Sequence, residues 1–121
     1  LVGSEMCIRD RDNSIGWMII NNPERRNAIS FAMREQMTRV FEEFDNDPQV
    51  RVMIIRGSGG KAFISGADIS EFKNIRNNFD AEKLYAKASE KMTDAMIAFK
   101  KPIIAIPTLY SMAFAKKSMQ K

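Results

Sequence analysis

A chain of 121 residues, 45% apolar and 28% charged, has the composition of a soluble globular protein and the length of one domain at most. With no histidine and one cysteine, it excludes within itself a Ser-His-Asp or Cys-His arrangement, a histidine metal site and an internal disulfide, so that any general acid or base has to be a carboxylate, a Lys or a Tyr. The 19 Lys and Arg against 15 Asp and Glu suit a polyanionic partner, a nucleotide-bearing cofactor or RNA, without choosing between them.

No run of about 18 or more apolar residues occurs, so no membrane span is expected. The single Cys7 points to a reducing compartment, the cytoplasm or, in a eukaryote, the mitochondrial matrix. Residues 1–12 carry both signs of charge and lack the apolar centre of a signal peptide. They resemble the translated read-through of a sequencing-library adapter and are set aside as a tail outside the domain. A frayed terminus is the alternative, and both readings predict disorder or poor packing.

Residues 15–20 form a short apolar run with the only Trp, closed by Asn21, Asn22 and Pro23; this predicts a strand ending in a loop. Ser30 suits an N-cap, and Met33, Met37, Val40, Phe41 and Phe44 recur at helical spacing, with Arg34, Glu35, Arg39, Glu42 and Glu43 placed off that stripe. The helix is expected to stop near Pro48, because proline disfavours helix in the residue before it. Residues 50–56 suggest a strand covered on both faces. Gly57-Ser58-Gly59-Gly60-Lys61 resembles a phosphate loop only superficially: its glycine spacing is wrong and Ala62, not Ser or Thr, follows the Lys. It is read as a turn.

The turn leads into Ala62-Phe63-Ile64-Ser65-Gly66-Ala67-Asp68-Ile69, where an apolar segment meets a glycine and then a helix over residues 67–75. Gly66 tolerates positive φ or a close backbone approach. The N–H groups just after it, in a first helical turn, lack helical acceptors and form a site for negative charge, unless the segment is simply a helix start. A second helix is expected from an Asp80 cap, with Leu84, Ala88, Met92, Ala95, Met96 and Phe99 as its apolar face; Lys83, Lys87, Glu90, Lys91 and Asp94 lie in water. Lys100-Lys101-Pro102 ends it, and residues 103–106 form the next strand.

Four pieces in order, Asn22-Pro23-Glu24-Arg25-Arg26-Asn27-Ala28, Val52-Met53-Ile54-Ile55-Arg56-Gly57, Ala62 to Ile69 and Lys100-Lys101-Pro102-Ile103-Ile104-Ala105-Ile106, resemble the enoyl-CoA hydratase/isomerase, or crotonase, family. The resemblance implies an α/β fold, the N-terminal half of a crotonase-like ββα spiral core, over residues 13–106. It implies an acyl-CoA thioester as substrate, with coenzyme A entering as part of it, no separate cofactor and no metal, since backbone amides take the enolate charge that a Lewis acid otherwise takes. The Ala67 amide is then one oxyanion donor. Ser65, Gly66, Asp68, Ile69 and Ser70 line the acyl-CoA groove with Ala28, and Arg25 and Arg26 meet the CoA phosphates. Intact family members are commonly trimers or hexamers.

Residues 107–121 depart from the family pattern and are read as an aberrant tail on a truncated member. Aligned without a gap, Leu109 replaces a glycine before Tyr110, and Ala113-Phe114-Ala115 replaces a glycine triplet whose middle amide is the second oxyanion donor. The hydratase glutamate falls at Lys117, and its second glutamate lies past Lys121. Hydratase turnover is therefore not expected of this chain. One sheet face, with Trp17, Ile19, Ile54 and Phe63, is expected to lack cover. The rival readings are a non-catalytic module binding RNA or a protein partner, although no arginine-rich stripe or recognition-motif aromatics support RNA, and a non-functional truncated product.

Overall fold

The computed structural model describes residues 7–59, 62–67 and 79–106. Four strands, β1 (Cys7–Asp12), β2 (Ile15–Ile20), β3 (Val52–Gly57) and β4 (Ile103–Ile106), form one mixed sheet in the order β1-β2-β3-β4. Helix α1 (Phe31–Asn46) joins β2 to its parallel neighbour β3, and α2 (Phe79–Ala98) precedes β4, which is parallel to β3. Parallel strands need such crossovers, because their ends lie a strand length apart. The expected α/β class is observed.

The sheet alternates as the pleat requires. Gly16, Met18 and Ile20 of β2 and Met53 and Ile55 of β3 are buried, while Trp17, Ile19, Val52 and Ile54 on the opposite face are partly covered. The predicted double coverage of residues 50–56 is thus corrected to one buried face, and the strand runs one residue further. On the other face Trp17, Ile54 and Ile104 stand in register across three strands, and Ile104 is 50% exposed. Phe63, expected on that open face, instead packs against the core cluster.

Helix α1 supplies the other half of the core. Met33, Met37, Val40, Phe41 and Phe44 are all buried, and burying one such side chain is worth about 1.5–3 kcal/mol. Ser30 caps it as expected: its hydroxyl accepts from the Met33 N–H at 3.2 Å, and the Ser30 N–H reaches the Met33 sulfur at 3.4 Å. A Cβ on Gly16 would stand 2.8 Å from the Phe44 ring, so the glycine lets the helix sit close on β2. Arg34, assigned to the polar side, is buried. It stands three residues before Met37 and seven before Phe41, which places it on the apolar stripe itself.

Helix α2 follows its expected face only in part. Ala88 and Phe99 are buried and Met92 and Ala95 lie against the core, but Leu84 and Met96 are exposed at 59% and 42%. Asp80 is the helix's second residue, not its cap. Phe99 meets Phe41 edge-on with ring centres 6.1 Å apart, which fixes the end of α2 against α1. The predicted helix over residues 67–75 extends past the described residues, as does the tail over residues 107–121.

The largest correction concerns the segment set aside as a tail. Residues 7–12 are a strand, paired antiparallel with the whole of β2 from Cys7↔Ile20 to Asp12↔Ile15. Cys7 is buried in the core and its N–H donates to the Gln36 side chain at 2.9 Å. Mixed charge at one end of the segment reflects an edge strand with one wet face; Arg9 pairs with Glu43 and Arg11 with Gln49 on that surface.

Candidate functional site

The site is built where β2 and β3 end. After Ile20 the chain makes a single 3-10 turn (Pro23–Arg25), and Arg26 and Asn27 both take left-handed backbone, φ 53° and 58°. Asparagine tolerates that region better than most residues because its short side chain bonds locally. Here the Asn27 Oδ1 accepts from the Asn22 N–H at 2.8 Å, and the Asn22 side chain in turn donates to the Ala28 carbonyl at 2.9 Å.

The same Asn27 reaches across to the loop after β3. Its amide nitrogen donates to the Ser58 carbonyl at 3.0 Å and to the Ala62 carbonyl at 2.7 Å. Ser58 is held from the other side by the Ile20 carbonyl, which accepts its N–H at 2.8 Å, and by Asn21, which accepts its hydroxyl at 2.7 Å. Asn27 itself is 1% exposed, a buried polar side chain with its partners in place, while the groups it bonds are partly buried. A Cβ at Gly57 would fall 2.4 Å from the Ala62 carbonyl oxygen and 2.6 Å from the Asn27 amide, so the loops close only over a glycine.

Two further contacts bring the expected site residues together. The Ile29 N–H donates to the Gly66 carbonyl at 2.7 Å, and Ile29 and Ala67 form a parallel bridge. The Ser65 hydroxyl donates to the Arg25 carbonyl at 3.2 Å. Gly66 has φ 126°, a region open essentially to glycine alone, and a Cβ there would meet nothing within 4 Å. Of the two reasons given for a glycine at this position, the torsion is the one observed. Ala67 follows it at the surface, and among the described residues its N–H has no hydrogen-bond partner.

Arg25, Arg26, Ser65, Gly66 and Ala67 are thus exposed neighbours on one rim, joined through Ile29 and the Ser65–Arg25 contact. Ala28, expected to line the groove, is buried at 7% exposure. Asp68, Ile69 and Ser70 lie outside the described residues. Asn27 is the site-shaping residue that sequence reasoning passed over as a letter in a motif. Its signal was a polar residue directly after two arginines in a tight turn, where left-handed backbone is needed.

Elsewhere a groove of about 380 Å³ between α1 and α2 is lined by residues that include Phe31, Glu35, Leu84, Lys87 and Lys91, none of them expected site residues. Among the described residues, no group of three or more His, Cys, Asp or Glu could hold a metal ion, and no helix is long and apolar enough to cross a membrane.

The family model described as enoyl-CoA hydratase/isomerase matches residues 10–112, so its match begins inside β1. The chain is 30% identical over 103 residues to the mitochondrial enoyl-CoA hydratase of Pongo abelii, covering 85% of this chain and 34% of that protein. It is 32% identical over 98 residues to the short-chain-enoyl-CoA hydratase of Clostridium acetobutylicum, covering 81% and 37%. The crystal structure of an enoyl-CoA hydratase/carnithine racemase from Magnetospirillum magneticum superposes with a TM-score of 0.80 at 34% identity, over 86% of this chain and 39% of that one. The chain therefore spans little more than a third of the length of these relatives. The family model spans well over half of the chain, the fold agrees over that span, and the chain belongs to the enoyl-CoA hydratase/isomerase family.

Proposed function

We propose that this chain carries the thioester-binding part of an acyl-CoA enzyme's site, with the Ala67 N–H as an oxyanion donor. The observation that carries the reading is the pairing of Ile29 with Gly66, which fixes the peptide before Ala67 while leaving the Ala67 N–H unbonded among the described residues and at the surface. A donor held in place before the substrate arrives stabilises a developing oxyanion without reorganisation at the moment of reaction. Arg25 and Arg26, exposed beside Ser65, face solvent where the phosphates of coenzyme A would lie; guanidinium groups suit phosphates through their fork of N–H donors. The reading extends to Asp68, Ile69 and Ser70 as groove residues and to a reducing compartment, cytoplasm or mitochondrial matrix.

The chemistry assigned to these residues is polarisation of the thioester carbonyl, in which the loss of a single oxyanion donor costs about 3 kcal/mol, near a hundredfold in rate.

The test is titration with acetoacetyl-CoA, an enolisable thioester whose enolate absorbs in the near ultraviolet, against free coenzyme A. Saturable growth of the enolate band is expected, weakened about tenfold or more in Ala67→Pro, which lacks the N–H. Affinity for both ligands should fall in the Arg25→Ala/Arg26→Ala pair and with rising salt. Equal enolate bands in the parent and Ala67→Pro would sink the reading. Tight RNA binding with no saturation by either CoA species would favour a nucleic-acid module instead.

A further inference from the structure

We propose that Arg34 is a positioning residue for the Gly66–Ala67 peptide, acting through Ile29 and clamped by Tyr85 of α2. The proposal rests on the reading of Ala67 as the oxyanion donor, but its structural core can be tested without any ligand.

Arg34 is a poor choice for stability alone. It is 8% exposed and the fourth residue of α1, at the end of the first turn, where a cation opposes the positive end of the helix dipole. Among the described residues its Nε has no hydrogen-bond partner. A buried, incompletely bonded guanidinium costs free energy that a Leu or Met on the same apolar stripe would not. Its remaining contacts show what it does there. One terminal nitrogen, Nη1, donates to the Ile29 carbonyl at 2.7 Å and to the Ser30 carbonyl at 3.0 Å.

Ile29 is the residue whose N–H holds the Gly66 carbonyl. Arg34 therefore grips one end of the Ile29 residue while Gly66 is gripped by the other. The short segment 28–30, between the left-handed turn at Arg26 and Asn27 and the cap of α1, is fixed from the helix side by this guanidinium. A lateral shift of Ile29 moves the Gly66 carbonyl with it, and the rigid peptide plane carries that shift to the Ala67 N–H.

The guanidinium is itself held in place. Its carbon lies 4.5 Å from the centre of the Tyr85 ring, at cation–π distance, and Tyr85 in turn packs against Phe31, the first residue of α1, with ring centres 6.4 Å apart. The path from α2 to the amide is thus Tyr85, Arg34, Ile29, Gly66, one cation–π contact followed by two hydrogen bonds of 2.7 Å. Through it the seating of α2 on α1 sets the orientation of the donor.

The test is amide hydrogen exchange on the isotope-labelled chain without ligand. The Ile29 N–H is the reporter, and the Met53 N–H, bonded to the Pro102 carbonyl in the core sheet, is the reference for global opening. In Arg34→Met, Ile29 is expected to exchange about tenfold or more faster relative to Met53; Arg34→Lys, which can still donate to the Ile29 carbonyl but has no planar group for Tyr85, should recover most of that factor. Tyr85→Leu, which leaves Arg34 in place, should accelerate Ile29 by about threefold. It decides the matter if Arg34→Met does not fold. Unchanged Ile29 exchange, or an equal rise at Ile29 and Met53, overturns the proposal.

With acetoacetyl-CoA, Arg34→Met should lose the enolate band about tenfold while its affinity for free coenzyme A stays unchanged, a split that general destabilisation does not produce. An enolate band in Arg34→Met equal to that of the parent also overturns it. If the parent gives no band at all, the reading of Ala67 fails, while the exchange ratio at Ile29 still decides the role of Arg34.

Discussion

The Asn27 side-chain amide donates to the Ala62 carbonyl across 2.7 Å and so joins the loop after β2 to the segment that leads into Gly66. With its bonds to Asn22 and Ser58, this one buried side chain satisfies a donor and two acceptors of partly buried backbone. Asn27→Ala leaves those groups bare and puts a Cβ residue without local bonding at φ 58°. A loss of about 3 kcal/mol is expected, read as a lower urea midpoint at unchanged slope. Asn27→Asp keeps the acceptor but turns a carboxylate toward two carbonyls, and should be no better. Stability within about 0.5 kcal/mol of the parent for Asn27→Ala would show that the loops hold each other without it.

How legible this was depended on the kind of information. The α1 stripe was readable because its burial repeats with the period of the helix, at Met33, Met37, Val40, Phe41 and Phe44, and β2 because a short apolar run closes in turn residues. Arg34 was misplaced because charge was given precedence over position on the wheel. Residues 7–12 were misjudged because an edge strand with one wet face carries little periodic signal, and its partner, β2, had to be known first. Leu84 was expected inside because an amphipathic pattern marks a face without stating what covers it. At the site, the Gly66 torsion was foreseen from the absence of a Cβ; the bridge to Ile29 was not, because it joins residues far apart in sequence by backbone atoms alone.

Gly57 and Gly66 are needed for different reasons, and alanine should separate them. At Gly57 the new Cβ collides with backbone oxygens of Ala62 and Phe63, at 2.4 and 2.6 Å, which cannot rotate away as a side chain would. At Gly66 there is room, and only the φ of 126° is disfavoured, at about 1–3 kcal/mol. Gly57→Ala is expected to lower the melting temperature well beyond Gly66→Ala. Gly66→Ala should act locally instead, speeding exchange at the Ile29 amide. A larger thermal loss from Gly66→Ala would reverse this assignment.

Lys101 does more than end a helix. Its ammonium donates to the carbonyls of Phe44 and Asp47 at the C-terminal end of α1, while the neighbouring Lys100 N–H is taken by the Asp45 side chain at 2.9 Å. A cation there adds a donor to carbonyls at the helix end, of which the Asp47 carbonyl also accepts the Val50 N–H at 3.1 Å, and complements the helix dipole. The contact also ties the approach to β4 to α1, far away in sequence. Because Lys101 is only half-buried, solvent screens part of the effect. Lys101→Met should cost about 1–2 kcal/mol and fray α1 from Phe44 onward in amide exchange. Exchange in that last turn no faster than in the parent would show that water serves those carbonyls as well.

Removing residues 1–12 distinguishes a tail from a structural strand. β1 is bonded along all of β2, and the burial of Cys7 beside Gln36 closes one end of the core. Its surface pairs, Arg9 with Glu43 and Arg11 with Gln49, are exposed and contribute little, so the ladder and the buried Cys7 carry the effect. Without the strand, β2 becomes a bare edge whose N–H and C=O groups face water or another chain. The shortened protein is therefore expected to lose its cooperative thermal transition or to self-associate, as seen by circular dichroism and light scattering. A dispensable tail predicts instead a melting curve superimposable on that of the full chain. Cys7→Ser, which changes only the buried sulfur, should retain the transition at slightly lower temperature, and so separates loss of the strand from loss of one core contact.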